Sequence, residues 1–180
     1  MFRAITAVAL ASAATLATAA TSNVSGLNSH APWWERVTVT ITGDGQPSSC
    51  RFETSLQPDA AKACQVQASE AAVASTASGS KDSFTRITFE RRFTPDWQPQ
   101  ASTPPTGEKV LGLQVMSLAI GARGTVEGCR IVDASGDMKP SYGCKEASAE
   151  KFAASASTEH AAPRQAYMTI LVYGHSEHVV

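Results

Sequence analysis

Strict alternation of apolar and polar residues marks the first candidate element. In "ERVTVTITGDG" Val37, Val39 and Ile41 fall on one face, and Thr38, Thr40 and Thr42 on the other, ahead of a Gly-Asp-Gly turn. That pattern predicts a half-buried strand entering a hairpin. The return strand is "SSCRFET", with Cys50 and Phe52 on one face and Arg51 and Glu53 on the other. "QPDAAKACQVQASEAAVAS" changes the period. Pro58 and Asp59 suit a first helical turn, and Cys64, Ala68 and Ala71 recur at helical spacing. "SFTRITFERRF" then reads as a third strand, Ile87 and Phe89 inward, Arg86, Thr88 and Glu90 outward.

The same order begins again after a proline-rich stretch. "KVLGLQVMSLAIG" is an apolar strand whose parity slips near Val115 and Met116, which predicts a bulge. "TVEGCRIVD" returns with Cys129 and Ile131 on one face, "KPSYGCKEASAEKFAAS" is a short helical candidate, and "QAYMTILVYG" closes. A shift of 79 residues lays Ile41 on Ile120, Gly45 on Gly124, Cys50 on Cys129 and Arg51 on Arg130. The closing strands also match, Phe84 and Ile87 on Tyr167 and Ile170. An internal repeat follows. The expected fold is α+β: two tandem β-β-α-β units, each a small antiparallel sheet packed with one helix.

Boundaries fall where composition changes. Residues 1–19 carry Arg3, a long Ala/Thr/Val/Leu run and the small-x-small site Ala17-Thr18-Ala19, the composition of a cleaved secretory signal peptide. The competing reading is an uncleaved anchor, but the run is weakly apolar and no basic residues follow it. Residues 20–32 read as a flexible leader, 33–94 as the first unit, 95–108 as a Pro-rich linker and 109–180 as the second unit.

Four cysteines in an exported chain imply two disulfides. Each unit holds one cysteine in its second strand and one at its helix. Of the three possible connectivities, Cys50–Cys64 with Cys129–Cys144 is the economical one. Formal net charge is −1 with scattered basic residues, so nucleic acid is a poor partner.

The second unit, "LQVMSLAIGARGTVEGCRIVDASGD" through "EKFAAS" to "YMTILVYG", resembles the TonB C-terminal domain, and "VTVTITGDGQPSSCRFETS" carries a fainter copy. The family's Tyr-Pro opening is absent, and cysteine-bearing segments replace its Leu-Asp-x-Ala helix start. The resemblance implies the fold, a periplasmic location in a Gram-negative bacterium, and binding of extended peptides by strand addition. The energy-transducing role does not carry over, because the leader reads as cleavable and no long spacer precedes the units.

Catalytic and metal-binding patterns are weak. His175 and His178 sit in a polar tail, His30 and His160 have no partner at ligand spacing, and no Gly-x-Ser-x-Gly elbow occurs. Glu127, Asp133 and Asp137 read as solvated strand-edge carboxylates. No cofactor is implied, and the expected function is non-enzymatic: a periplasmic module binding an envelope protein or peptide. The alternatives are an enzyme or small-ligand binder using the cleft between units, and a structural envelope protein. Trp33, Trp34 and Trp97 are expected to cover a sheet edge or join the units, with partner anchoring as the alternative. The candidate partner-binding strand is Tyr167, Met168, Thr169, Ile170, Leu171, Val172 and Tyr173, which is apolar on both faces and has no charged guards. It is either the binding edge or already covered by the first unit. Phe84–Phe93 is guarded by Arg86, Glu90, Arg91 and Arg92.

Overall fold

The computed structural model describes residues 26–56, 64, 84–96, 103–154 and 162–176. The elements are β1 (Trp33–Ile41), β2 (Pro47–Thr54), β3 (Phe84–Pro95), β4 (Lys109–Ile120), β5 (Val126–Gly136), α1 (Cys144–Ala149) and β6 (Arg164–Ser176). The helix expected over 57–75 lies outside the described residues except for Cys64, as do the signal segment, Trp97, His160 and His178.

The expectation of two separate β-β-α-β units, each with its own sheet and helix, is overturned. All six strands form one antiparallel sheet in the order β2-β1-β3-β6-β4-β5, and α1 is the one named helix among the described residues. Each half arranges its hairpin and closing strand as foreseen. The two closing strands then pair with each other, Phe89 opposite Val172 and Phe93 opposite Met168, which merges the halves. Hydrogen bonding removes two exposed edges, each a row of unsatisfied backbone groups.

The repeat is visible in the ladder registers. Val39 faces Cys50 and Leu118 faces Cys129; Val37 faces Phe89 and Met116 faces Met168. Each second pair lies 79 residues after the first. The closing strands therefore keep that same offset, so Phe89 corresponds to Met168, and the match of Phe84 with Tyr167 is not the structural one. A bulge recurs too, between Thr40 and Ile41 and again between Ala119 and Ile120. Both hairpin turns use a glycine at positive φ, Gly45 at 81° and Gly124 at 75°, where a Cβ would be strained. Because corresponding strands pair antiparallel, a local two-fold passes through the opposed residues Arg91 and Ile170. The bulge foreseen near Val115 and Met116 is present and has no counterpart in the first half.

One face of the sheet carries the core. The row Trp33–Phe93–Met168–Met116 runs across four strands, and Val37–Phe89–Val172 forms a second apolar row. Phe152 and Ala147 pack on the first row, where Trp33 stacks on Phe93 at 5.4 Å and Phe93 meets Phe152 at 5.2 Å. α1 is only six residues long, so packing and a cap sustain it more than propensity. The Glu146 carboxylate accepts the Gly143 N–H at 2.9 Å, which satisfies one orphan donor and holds its pKa below the usual carboxylate range.

The described part of the leader is docked rather than free. Leu27 donates its N–H to the Lys151 carbonyl and accepts from Ala153 N–H, and Trp33 Nε1 donates to the Asn28 carbonyl. Arg164 donates to both the carbonyl and the hydroxyl of Ser29 at 3.0 and 2.6 Å.

Candidate functional site

The predicted binding strand lies in the middle of the sheet. Tyr167–Tyr173 pairs with β3 on one side and β4 on the other; Thr169, for example, opposes both Arg92 and Val115. Met168, Ile170 and Val172 are buried on the core face, Leu171 and Tyr173 on the back, as its two-sided apolar pattern requires. No side of this strand is left to accept another. The outermost strands are β2 and β5.

The charges that read as guards on β3 have partners within the fold. Arg91 occupies the core face between the two apolar rows, at the local two-fold. It donates to Glu35 from Nε (2.9 Å) and Nη2 (2.5 Å), and to Glu150 from Nη1 (2.6 Å). Its guanidinium also lies 5.2 Å from the Trp33 ring and 4.9 Å from the Tyr142 ring. On the back face Glu90, expected outward, is 2% exposed. It accepts from Arg36 at 3.0 and 2.7 Å and from Arg92 Nε on its other oxygen. Arg86 pairs with Glu108. Glu90 and Arg91 can be buried because each meets opposite charge, across the β1–β3 ladder from Arg36 and Glu35, and also from Arg92 along the same strand and Glu150 after α1. Alternation alone does not reveal such partners.

Tyr142 completes the core-face cluster, its hydroxyl donating to Glu150 at 3.1 Å. Burial pushes its phenol well above the ordinary value, against the opposing pull of Arg91. A raised folded-state pKa gives stability that is complete below the unfolded pKa of about 10 and lost as pH rises past it. Stability should therefore fall above about pH 10 by up to ~1.4 kcal/mol per pH unit from this group. Tyr142→Phe should flatten that fall in urea titrations between pH 9 and 11. An unchanged slope would remove Tyr142 from the alkaline transition.

Both disulfides join the pairs expected, Cys50–Cys64 and Cys129–Cys144, with Cα separations of 5.8 and 5.5 Å. The second ties α1 to the outermost strand β5. Ser29 and His30 lie in contact, Oγ to Nδ1 at 3.2 Å. The serine is buried, however, donates to the Ala153 carbonyl at 3.0 Å and accepts from Arg164, so its proton is not held by the imidazole. Among the described residues no helix is long and apolar enough to cross a membrane.

The two outer edges differ. β2 begins with Pro47, and Arg51 pairs with Glu53 at 2.9 Å along its back-face row. β5 is longer, exposed along most of its length, and carries Ile131 at 50% and Val132 at 41% exposure. Two bulges interrupt it. Gly128 faces Ala119 while Val126 faces Ile120, which leaves Glu127 unmatched; Val132 is likewise unmatched between Asp133 and Ile131. The fold and edges define a disulfide-stapled, internally duplicated single-sheet protein. The chain matches no protein-family model, no curated protein and no solved structure.

Proposed function

We propose that this protein is an exported, non-enzymatic binding module of the periplasm that takes an extended peptide segment of an envelope protein by strand addition at β5. The observation that carries the reading is the 11-residue outer strand β5, exposed and bearing Ile131 and Val132. Its outward N–H and C=O groups supply a template for main-chain hydrogen bonds, and exposed apolar side chains supply contacts with alternate residues of the added strand. The resemblance to TonB C-terminal domains supports the same mode, although the strand first expected to act is occupied. The bulges at Glu127 and Val132 favour a peptide over the edge of a second folded sheet. A flexible chain can follow a bulge, whereas a rigid edge loses its register there.

Photo-crosslinking from Arg130 in β5, compared with Arg51 in β2, tests this in the native envelope. The expected result is crosslinking from Arg130 to a single short segment of one protein, lost when Ile131 is replaced by proline in a chain that keeps its folded circular-dichroism spectrum. Crosslinks from Arg51 alone, or crosslinks that survive Ile131→Pro, would refute strand addition at β5.

A further inference from the structure

On the back face, away from β5, the start of β1, the end of β3 and the middle of β6 enclose a cleft of about 200 Å³. Pro32, Trp34, Ser55, Arg92, Thr94 and Thr169 line it, with Trp33 and Phe93 beneath. Three features distinguish it from an accidental hollow. The first is Arg92, whose guanidinium is oriented through Nε by Glu90, itself nearly fully buried and held from the other side by Arg36. Among the described residues, the terminal nitrogens of Arg92 have no hydrogen-bond or ion-pair partner. The second is a pair of threonines in the lining, Thr169 at 2% and Thr94 at 8% residue exposure, whose hydroxyls have no hydrogen-bond partner among the described residues. Third, the indole of Trp34 gives the same space an apolar wall.

Threonine hydroxyls can donate to a carboxylate, and a guanidinium fork suits a planar pair of oxygens. Both guanidiniums pair with Glu90, but Arg92 does so through Nε alone, whereas Arg36 uses Nε and Nη2 and brings Nη1 to 3.9 Å from Glu53. Among the described residues Arg92 is therefore the one of the two with both terminal nitrogens unengaged. One cation matches a monoanion better than a phosphate dianion. The space equals that of about seven waters at ~30 Å³ each, enough for a phenyl or branched alkyl group with its carboxylate. We propose that this cleft binds an apolar carboxylate, with Arg92 and the hydroxyls of Thr94 and Thr169 on the oxygens and Trp34 against the apolar part. The ligand is either a free small acid or the C-terminal residue of a peptide. Thr169 belongs to the strand singled out from sequence, so its role passes from backbone pairing partner to side-chain ligand.

The test is a two-dimensional NMR titration of the folded protein with phenylacetate and phenylacetamide, and with a tetrapeptide ending in phenylalanine as free acid and as amide. Saturable shifts of the Arg92 Nε–H and Thr169 amide signals are expected with at least one acid, and its amide should bind roughly tenfold more weakly or worse. Binding by phenylacetate assigns the site to small acids, and binding by the peptide acid alone assigns it to a chain terminus. Thr169→Val, which keeps shape and loses the hydroxyl, should weaken binding roughly threefold or more. Arg92→Lys, which keeps charge and loses the fork, should do at least as much. No saturable shift up to about 10 mM, or equal binding of acid and amide to the unaltered protein, overturns the proposal without reference to any variant.

Discussion

Arg91→Met is expected to destabilise the fold by about 3 kcal/mol in urea unfolding at neutral pH, with an unchanged denaturant slope. Arg91 stands between two carboxylates on the packed face, Glu35 from β1 and Glu150 from the segment after α1. Removing it leaves Glu35 without its cation and Glu150 with the Tyr142 hydroxyl in place of a charge partner, which costs more than the pairs contribute when intact. The loss also removes two cation–π contacts, with Trp33 in the first half and Tyr142 in the second. Arg51→Met is the matched control. The Arg51–Glu53 pair stands in solvent, so its loss should fall within about 0.5 kcal/mol of zero. If Arg91→Met cost no more than Arg51→Met, the cluster at the local two-fold would not join the halves energetically.

Loss of the Cys129–Cys144 bridge, by serine at both positions, should cost about 3 kcal/mol for a closed loop of this length. It should act locally before it acts globally. β5 buries little of itself, and one of its few tethers beyond the β4 ladder is the bridge to α1, whose Ala147 packs into the core. Native-state hydrogen exchange should therefore show β5 and α1 opening at lower free energy than β3 and β6, which are paired on both sides. The same change should weaken any peptide held at β5. Uniform protection across the six strands after removal of the bridge would contradict this coupling.

Glu90 shows where sequence reading stops. Its parity placed it on the face opposite Ile87 and Phe89, and that placement is correct. Solvent exposure did not follow from parity, because burial depends on which charges the neighbouring strands bring alongside. Arg36 comes from a strand 54 residues earlier in the chain. The cleft was equally illegible, since Trp34, Arg92 and Thr169 become neighbours only through two ladder registers. The composition of strand 167–173 allows either a binding edge or a strand covered by the first unit, and the β3 ladder supplies that cover.

What the sequence by itself determined was local and periodic. Alternation placed the strands, paired glycines placed both hairpin turns, the slipped parity at Val115 announced its bulge, and the recurrence of Cys50 and Cys64 as Cys129 and Cys144 gave the disulfides. Each of these depends on contacts within a few residues or on a repeat of one pattern. Tertiary structure alone decided that the halves share one sheet, that β6 is central and β5 outermost, and that Arg91 stands at the junction. Strand order depends on which edges can satisfy one another's backbone groups, and alternation is the same on a central strand as on an outer one.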